Sequence, residues 1–299
     1  MILNATLRKL RNRIFGNTNV SGVADCSCKF VDNVLQLGIL NQYKLMKCLI
    51  PPSDMPNLAD VGFHAYSQFE EDGLLLYIFA IIGTTNKRVV EICAGDGIQC
   101  MAANLIINHG WDGLLFDGDL KNIERGRSFY SKNFLTWINP PKLCHSWITV
   151  DNVNEFIKEN GFQGEIDLLS TDLDGNDYWI SKAITSIRPR VVICETHNVI
   201  PADRSITIPY DPEFYIGKNG MHRDFTSASL LAFSKLYKEK GYRLIGGHRH
   251  GFNAIFMRND VGIEYFPEVS VTSVHDNSCS RNVQQKIWPE IKKMPWQEV

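Results

Sequence analysis

The sequence predicts an α/β protein built on a doubly wound, seven-stranded sheet. The sheet is mostly parallel with its last strand antiparallel, and a helical N-terminal extension precedes it. Three observations predict this. Residues 88–97, RVVEICAGDG, read as a short buried strand running into a turn with Gly95 and Gly97 on either side of Asp96. A strand, a glycine turn and a helix in succession form the ligand-binding corner of a doubly wound sheet. From 64 to 260, strand-like and helix-like segments alternate, which implies a parallel sheet with helices on both faces. Finally, the apolar runs 242–247 and 253–258 are separated only by the polar stretch 247–251, so they should pair antiparallel.

The elements follow in order. Residues 1–60 form the N-terminal extension. Apolar residues recur at helical spacing over 30–49, and Pro51, Pro52 and Pro56 close that helix. Residues 1–15 are basic, with Arg8, Lys9, Arg11 and Arg13, and read as a solvated helix face or a surface that touches a membrane or partner. Residues 61–260 form the sheet domain. Ser67 is a good helix N-cap, with Glu70 and Glu71 in the first turn. The strands are 88–93, 113–117, 145–149, 166–171, 190–195, 242–247 and 253–258, and a helix is expected over 98–109. Residues 261–299 carry little pattern and should wrap the surface.

The acidic residue inside the glycine motif restricts the ligand. A pyrophosphate disfavours the Glu91 carboxylate, which argues against a dehydrogenase, whereas a ligand bearing an ammonium group suits it. S-adenosylmethionine is such a ligand. Asp117 ends the next strand, 20 residues after Gly97, about where an acidic side chain meets a ribose hydroxyl pair.

Glu91-Ile-Cys93-Ala-Gly95-Asp-Gly97 resembles the first motif of class I methyltransferases, an acidic residue followed by three alternating glycines. Cys93 stands where that family has its first glycine. The segment 64–79, HAYSQFEEDGLLLYIF, is similar to the one preceding this motif in FkbM-like methyltransferases, where Ser-Gln-x-Gly-Glu-Asp opens a helix. Ser67, Gln68, Glu71 and Asp72 match, and Glu70 replaces the glycine. The resemblance covers about 64–260 and implies a Rossmann-like fold with S-adenosylmethionine as cofactor. It implies Gln68, Glu91, Gly95 and Gly97 at the methionine end, Asp117 at the ribose, and Asp151 with Asn152 at the adenine. Asp151 also reads as a plain helix N-cap.

Two strand ends carry the candidate chemistry. Residues 166–178, IDLLSTDLDGNDY, end a strand in Asp172 with Asp174 and Asp177 close behind. The run lacks the later bidentate glutamate of a calcium-binding EF-hand loop. Residues 191–198, VVICETHN, add Glu195, His197 and Asn198 on the adjacent strand, about 5 Å away in a parallel sheet. Asp172, Glu195 and Asn198 could hold Mg2+ and acidify an acceptor hydroxyl. Alternatively His197 is a metal-free general base, with Asp172 and Glu195 around it. A hydrogen-bonded network that only anchors loops is the plain structural alternative.

The 199–224 loop, rich in Pro and Gly, reads as a lid, with Asp203, Arg204, Tyr210, Asp211, His222 and Arg223 as candidate acceptor contacts. Tyr210 and Arg223, together with Asp174, are the expected substrate residues. His248 and His250 read as exposed first and as substrate contacts second. The carboxylate-lined site suits a sugar, polysaccharide intermediate or natural-product hydroxyl, so O-methylation is expected. N- or carboxyl-methylation of a small metabolite is one alternative, and a non-catalytic nucleoside-cofactor-binding interaction protein is another.

Composition excludes other classes. A net charge of -2 disfavours nucleic-acid binding, which needs excess Lys and Arg. No apolar run reaches the roughly 20 residues of a membrane span. The N-terminus lacks a signal peptide's apolar core, and the eight scattered cysteines read as free thiols. A cytoplasmic protein is expected, acting on a small-molecule or glycoconjugate acceptor and forming a homo-oligomer through its N-terminal helices.

Overall fold

The computed structural model describes residues 21–299. The basic stretch 1–15 therefore lies outside the described residues. Helix α1 (Ser21–Leu49) runs to the proline cluster and packs on α2 (Glu71–Ile82). Then follow β1 (Arg88–Ile92), α3 (Ala103–His109), β2 (Asp112–Asp117), α4 (Leu120–Lys132), β3 (Lys142–His145) and α5 (Val153–Glu159). The second half holds β4 (Gly164–Thr171), α6 (Asp177–Ala183), β5 (Ile187–Glu195), β6 (Ile206–Thr207), α7 (Leu230–Glu239), β7 (Tyr242–Gly247) and β8 (Asn253–Arg258). Three short helices, α8 (Val271–His275), α9 (Ser278–Lys286) and α10 (Trp288–Ile291), and strand β9 (Gln297–Glu298) complete it.

Seven strands form one sheet in the order β3-β2-β1-β4-β5-β8-β7. The five from β3 to β5 are parallel, and β8 runs antiparallel to both β5 and β7. The sequence predicts this sheet and its one reversed strand. Successive residues feed opposite cores. Val89, Leu115, Leu168 and Val191 pack into one cluster with α2 and α3, while Val90, Leu114, Leu169 and Val192 pack into the other with α5, α6 and α7. Both faces are covered, so these strands are largely apolar and lack regular polar alternation, with Glu91, Asp167 and Ser170 among the buried polar exceptions.

Three expectations need correction. The third strand is Lys142–His145, not 145–149. Its pairing with β2 ends where Ser146 N–H meets Asp117 O. Beyond that the chain turns, with the Asn152 amide oxygen taking the Thr149 N–H and the Trp147 indole bonding Pro212 O. Residues 146–149 carry the aromatic and β-branched side chains of a strand but have no neighbour to pair with. The helix expected from 98 begins only at Ala103, because the Glu91 carboxylate takes the N–H groups of Met101 and Ala102 and bends the intervening chain around itself. Ser67 is not the residue adjacent to α2, but its hydroxyl accepts the Asp72 N–H of the first turn at 3.2 Å. The helix starts at Glu71, and Asp72 Oδ2 accepts the N–H groups of Ala65, Tyr66 and Ser67 and the Ser67 hydroxyl. The Asp72 carboxylate thus closes the loop before α2.

The C-terminal region is more ordered than its sequence suggests. Strand β9 pairs antiparallel with β6, and Trp296 packs edge-on against Phe225 at 4.6 Å. Of the predicted free thiols, Cys48, Cys93, Cys100, Cys144, Cys194 and Cys279 are free.

Candidate cofactor and acceptor site

The glycine motif forms the turn after β1. Cys93, Gly95 and Gly97 have φ of 62°, 59° and 69°, the left-handed region. Glycine enters it freely, and other residues pay about 1–2 kcal/mol. Gly97 is further constrained, because an added Cβ would stand 2.8 Å from Leu115 Cδ1. Cys93 holds the same kind of backbone with a side chain present. A β-branched residue there should be worse. We expect Cys93→Val to destabilise the fold by about 1–3 kcal/mol in urea unfolding, and Cys93→Gly to be tolerated. Equal midpoints for Cys93→Val and wild type would show that the turn relaxes.

Two carboxylates fix the turn from below. Asp117, at the end of β2, takes the Gly95 N–H on Oδ2 (3.0 Å) and the Asp119 N–H and Asn122 amide on Oδ1 (2.8 and 3.1 Å). Each oxygen keeps acceptor capacity for a ligand hydroxyl. Glu91 is buried; its Oε1 accepts the Met101 N–H and the Ser170 hydroxyl, and its Oε2 the Ala102 N–H. Burial raises its pKa and these donors oppose the rise.

Beside the turn lies a cavity of about 170 Å³ lined by Gln68, Glu71, Glu91, Gly95, Asp172 and Asn253, among others. Four predicted site residues, Gln68, Glu91, Gly95 and Asp172, therefore share one cavity. Glu71 and Asn253 carry no predicted site role. Glu71 is 1% exposed and accepts the Asn253 amide at 2.8 Å and the Phe69 N–H at 3.1 Å. Its first-turn position looked like helix electrostatics. Asn253 reaches the cavity only because β8 inserts beside β5, with Asn253 opposite Glu195. The Asn253 amide oxygen is buried without a partner.

His248 departs from its expected exposure: it is 2% exposed, packed edge-on against Phe252 at 4.2 Å, with Nε2 3.7 Å from Glu71 Oε1. Burial lowers its pKa, against the pull of the Glu71 charge. The Phe252 and Phe69 rings around the turn, absent from any local polarity pattern, bury it.

Asp172, Asp174 and Glu195 bring one oxygen each to within 4.8 Å of one another. Burial, then the charges of Asp177 and Asp174, push Asp172 up to about 7. Glu195 is raised well above the usual range by burial and by Asp172. Asp177 is raised to about 6 by burial although it accepts the Leu173 and Gly175 N–H groups at 2.6 and 2.9 Å. Asn198, the other residue expected here, turns its side-chain amide to His250 O at 2.8 Å, and its backbone carbonyl accepts from Gln284; the third carboxylate of the group is Asp174. His197 also points elsewhere: Nε2 meets Asp224 O at 2.6 Å, its ring faces Trp296, and burial lowers its pKa. It does not line the cavity.

At the adenine corner, Asn152 precedes α5 but its side chain bonds the 147–149 loop, and Asp151 is exposed and caps nothing. Tyr210 sits at this corner, its hydroxyl accepting the Val150 N–H at 3.3 Å. Arg223 is exposed. Within the segment read as a lid, Val199, Ile200 and Ile206 to Ile208 are buried and β6 is paired with β9, while Asp203 and Arg204 between them are exposed. Farther on, Phe214 packs over Gly175, and Asn176 donates to Asp211 O. Residues 211–214 thus cover the carboxylate loop.

A larger cleft of about 390 Å³ lies between the start of β5 and the end of α7. No carboxylate lines it, so the chemistry belongs to the smaller cavity.

Sheet order and the turn after β1 define a Rossmann-like fold of the methyltransferase type. No known family matches the chain, and no curated protein matches it. Among solved structures it is similar to an S-adenosylmethionine-dependent methyltransferase from Clostridium acetobutylicum, at 11% identity and TM-score 0.40, covering 62% of this chain and 89% of that one. It is also similar to magnesium protoporphyrin IX methyltransferase from Synechocystis, solved with bound S-adenosylmethionine, at 12% identity and TM-score 0.36, covering 85% and 92%. A third is mitomycin 7-O-methyltransferase, at 18% identity and TM-score 0.38, covering 63% and 52%.

Proposed function

We propose that this protein is an S-adenosylmethionine-dependent methyltransferase, FkbM-like, that methylates a hydroxyl of a sugar, polysaccharide intermediate or natural product. The observation that carries this reading is the single cavity joining the Glu91 turn to Asp172, with Asp117 beside it. The residues fit the cofactor: left-handed turns bring the backbone close, Glu91 and Gln68 stand at the methionine end, and Asp117 faces the ribose position. When bound, the cofactor supplies a methyl group activated by its sulfonium. The chain supplies alignment, exclusion of water by residues 211–214, and a base. Asp172 takes the base role in this reading, because it lines the cavity and holds its proton near neutrality. Tyr210, next to the covering residues 211–214, and the exposed Arg223 are proposed acceptor contacts. A divalent cation such as Mg2+ would be held by Asp172, Asp174 and Glu195.

One observation favours N-methylation as a second reading: the cavity lining includes Glu71, Glu91 and Asp172 and no Lys or Arg, which suits an amine. A homo-oligomer through α1 is supported by the exposure of Val34, Leu35, Leu37, Leu45 and Leu49 on that helix. No helix among the described residues is long and apolar enough to cross a membrane. Calorimetry tests the cofactor assignment: S-adenosylhomocysteine should bind and NAD should not. Binding of NAD alone would replace the methyltransferase reading by a dinucleotide one.

A further inference from the structure

The turn between α4 and β3 presents a cluster of apolar side chains to solvent. Phe134 is 76% exposed, Trp137 57% and Ile138 79%, with Leu135 beside them. The turn is built to hold them outward. Asn133 O accepts the N–H groups of Thr136 and Trp137, Asn133 Oδ1 accepts that of Leu135, and Thr136 O accepts that of Asn139. Thr136 is the buried anchor, its hydroxyl donating to Tyr130 O at 2.8 Å. Ordered backbone with large side chains facing water costs solvation without gaining packing, and such patches mark interaction surfaces.

The charge around the turn selects the partner. From 127 to 150 the sequence holds Arg127, Lys132 and Lys142 and no aspartate or glutamate, in a chain of net charge -2; Arg125, farther back on α4, is paired with Asp96. Lys132 and Lys142 border the turn and make no ion pair among the described residues, and Arg127 bonds Leu143 O close by. Aromatic and aliphatic side chains at a tip, flanked by Lys132 and Lys142, match the boundary between acyl chains and anionic headgroups.

We propose that residues 133–138 dock this protein on an anionic lipid surface as a peripheral contact. The turn enters β3 at the N-terminal edge of the sheet, whereas Asp117, Asp172 and Glu195 stand at the carboxyl ends of the strands. Docking there leaves the cavity facing water, where a polar acceptor can reach it. This proposal is independent of the methyltransferase reading.

Vesicle co-sedimentation of the full chain tests it, using phosphatidylcholine vesicles with and without phosphatidylglycerol. Wild type should bind the anionic vesicles and release at high salt. Phe134→Ser/Trp137→Ser/Ile138→Ser should lower the partition by about tenfold or more, and Lys132→Glu/Lys142→Glu should abolish the preference for phosphatidylglycerol. All these positions are exposed, and unchanged circular dichroism confirms folding. Three results would overturn the proposal: wild type that ignores anionic vesicles, a triple variant that binds like wild type, or a dimer that the triple variant abolishes without any vesicle binding. The last would assign the patch to a second copy of this chain.

Discussion

Asp172→Asn should lower kcat/KM by about two to four orders of magnitude, the usual contribution of a general base, while S-adenosylhomocysteine still binds. The substitution keeps the shape of the side chain and removes its ability to take a proton. Asp172 is suited to that task because burial and the neighbouring Asp177 and Asp174 charges place its pKa at about 7. Wild-type turnover measured in excess chelator should rise as pH passes through about 7, and His197→Ala should leave that limb in place. Loss of all turnover on chelation, with cofactor affinity intact, would instead assign Mg2+ to Asp172, Asp174 and Glu195.

The same carboxyl affects stability, with a definite sign. Its folded pKa lies above the ordinary carboxylate value, so the folded chain binds the proton more tightly than the unfolded chain. The resulting stabilisation is fully present below the ordinary value and is lost as pH rises through about 7. Asp172→Asn should therefore raise Tm relative to wild type above about pH 8, with the difference shrinking in acid. Normal turnover in a folded Asp172→Asn protein would remove Asp172 from the chemistry.

Asp117→Ala should weaken S-adenosylhomocysteine binding at least about tenfold, since a charge-assisted hydrogen bond is worth about 1.5–3 kcal/mol. The structure adds a second consequence. The same carboxylate ties Gly95 N–H to the end of β2, so the alanine variant should also loosen the turn after β1. Asp117→Asn separates the two effects. It keeps one acceptor oxygen for a backbone N–H and loses the charge, so its stability should lie nearer wild type than its affinity does. Unchanged affinity in folded Asp117→Ala would falsify the ribose assignment.

Local patterns in the sequence determined the sheet and the glycine turn after β1. Apolar runs of the right length mark the buried parallel strands, and the short loop after 247 forces β7 and β8 to pair antiparallel. The Glu91 turn, Asp117 and Asp172 were legible because strand ends place side chains in the crevice by geometry alone. That Cys93, at a glycine position, holds a left-handed backbone is known only from the structure. Tertiary structure decided whatever depends on a partner far along the chain. Residues 146–149 have strand-forming side chains, but no strand lies where they could pair. His248 and Glu71 met because Phe69, Phe252 and Asn253 enclose them from β8 and the loop before α2. Asn198 turned to His250, and the third carboxylate beside Asp172 and Glu195 is Asp174. In each case the free energy came from burial and from hydrogen bonds between segments distant in sequence, which no local window of residues contains.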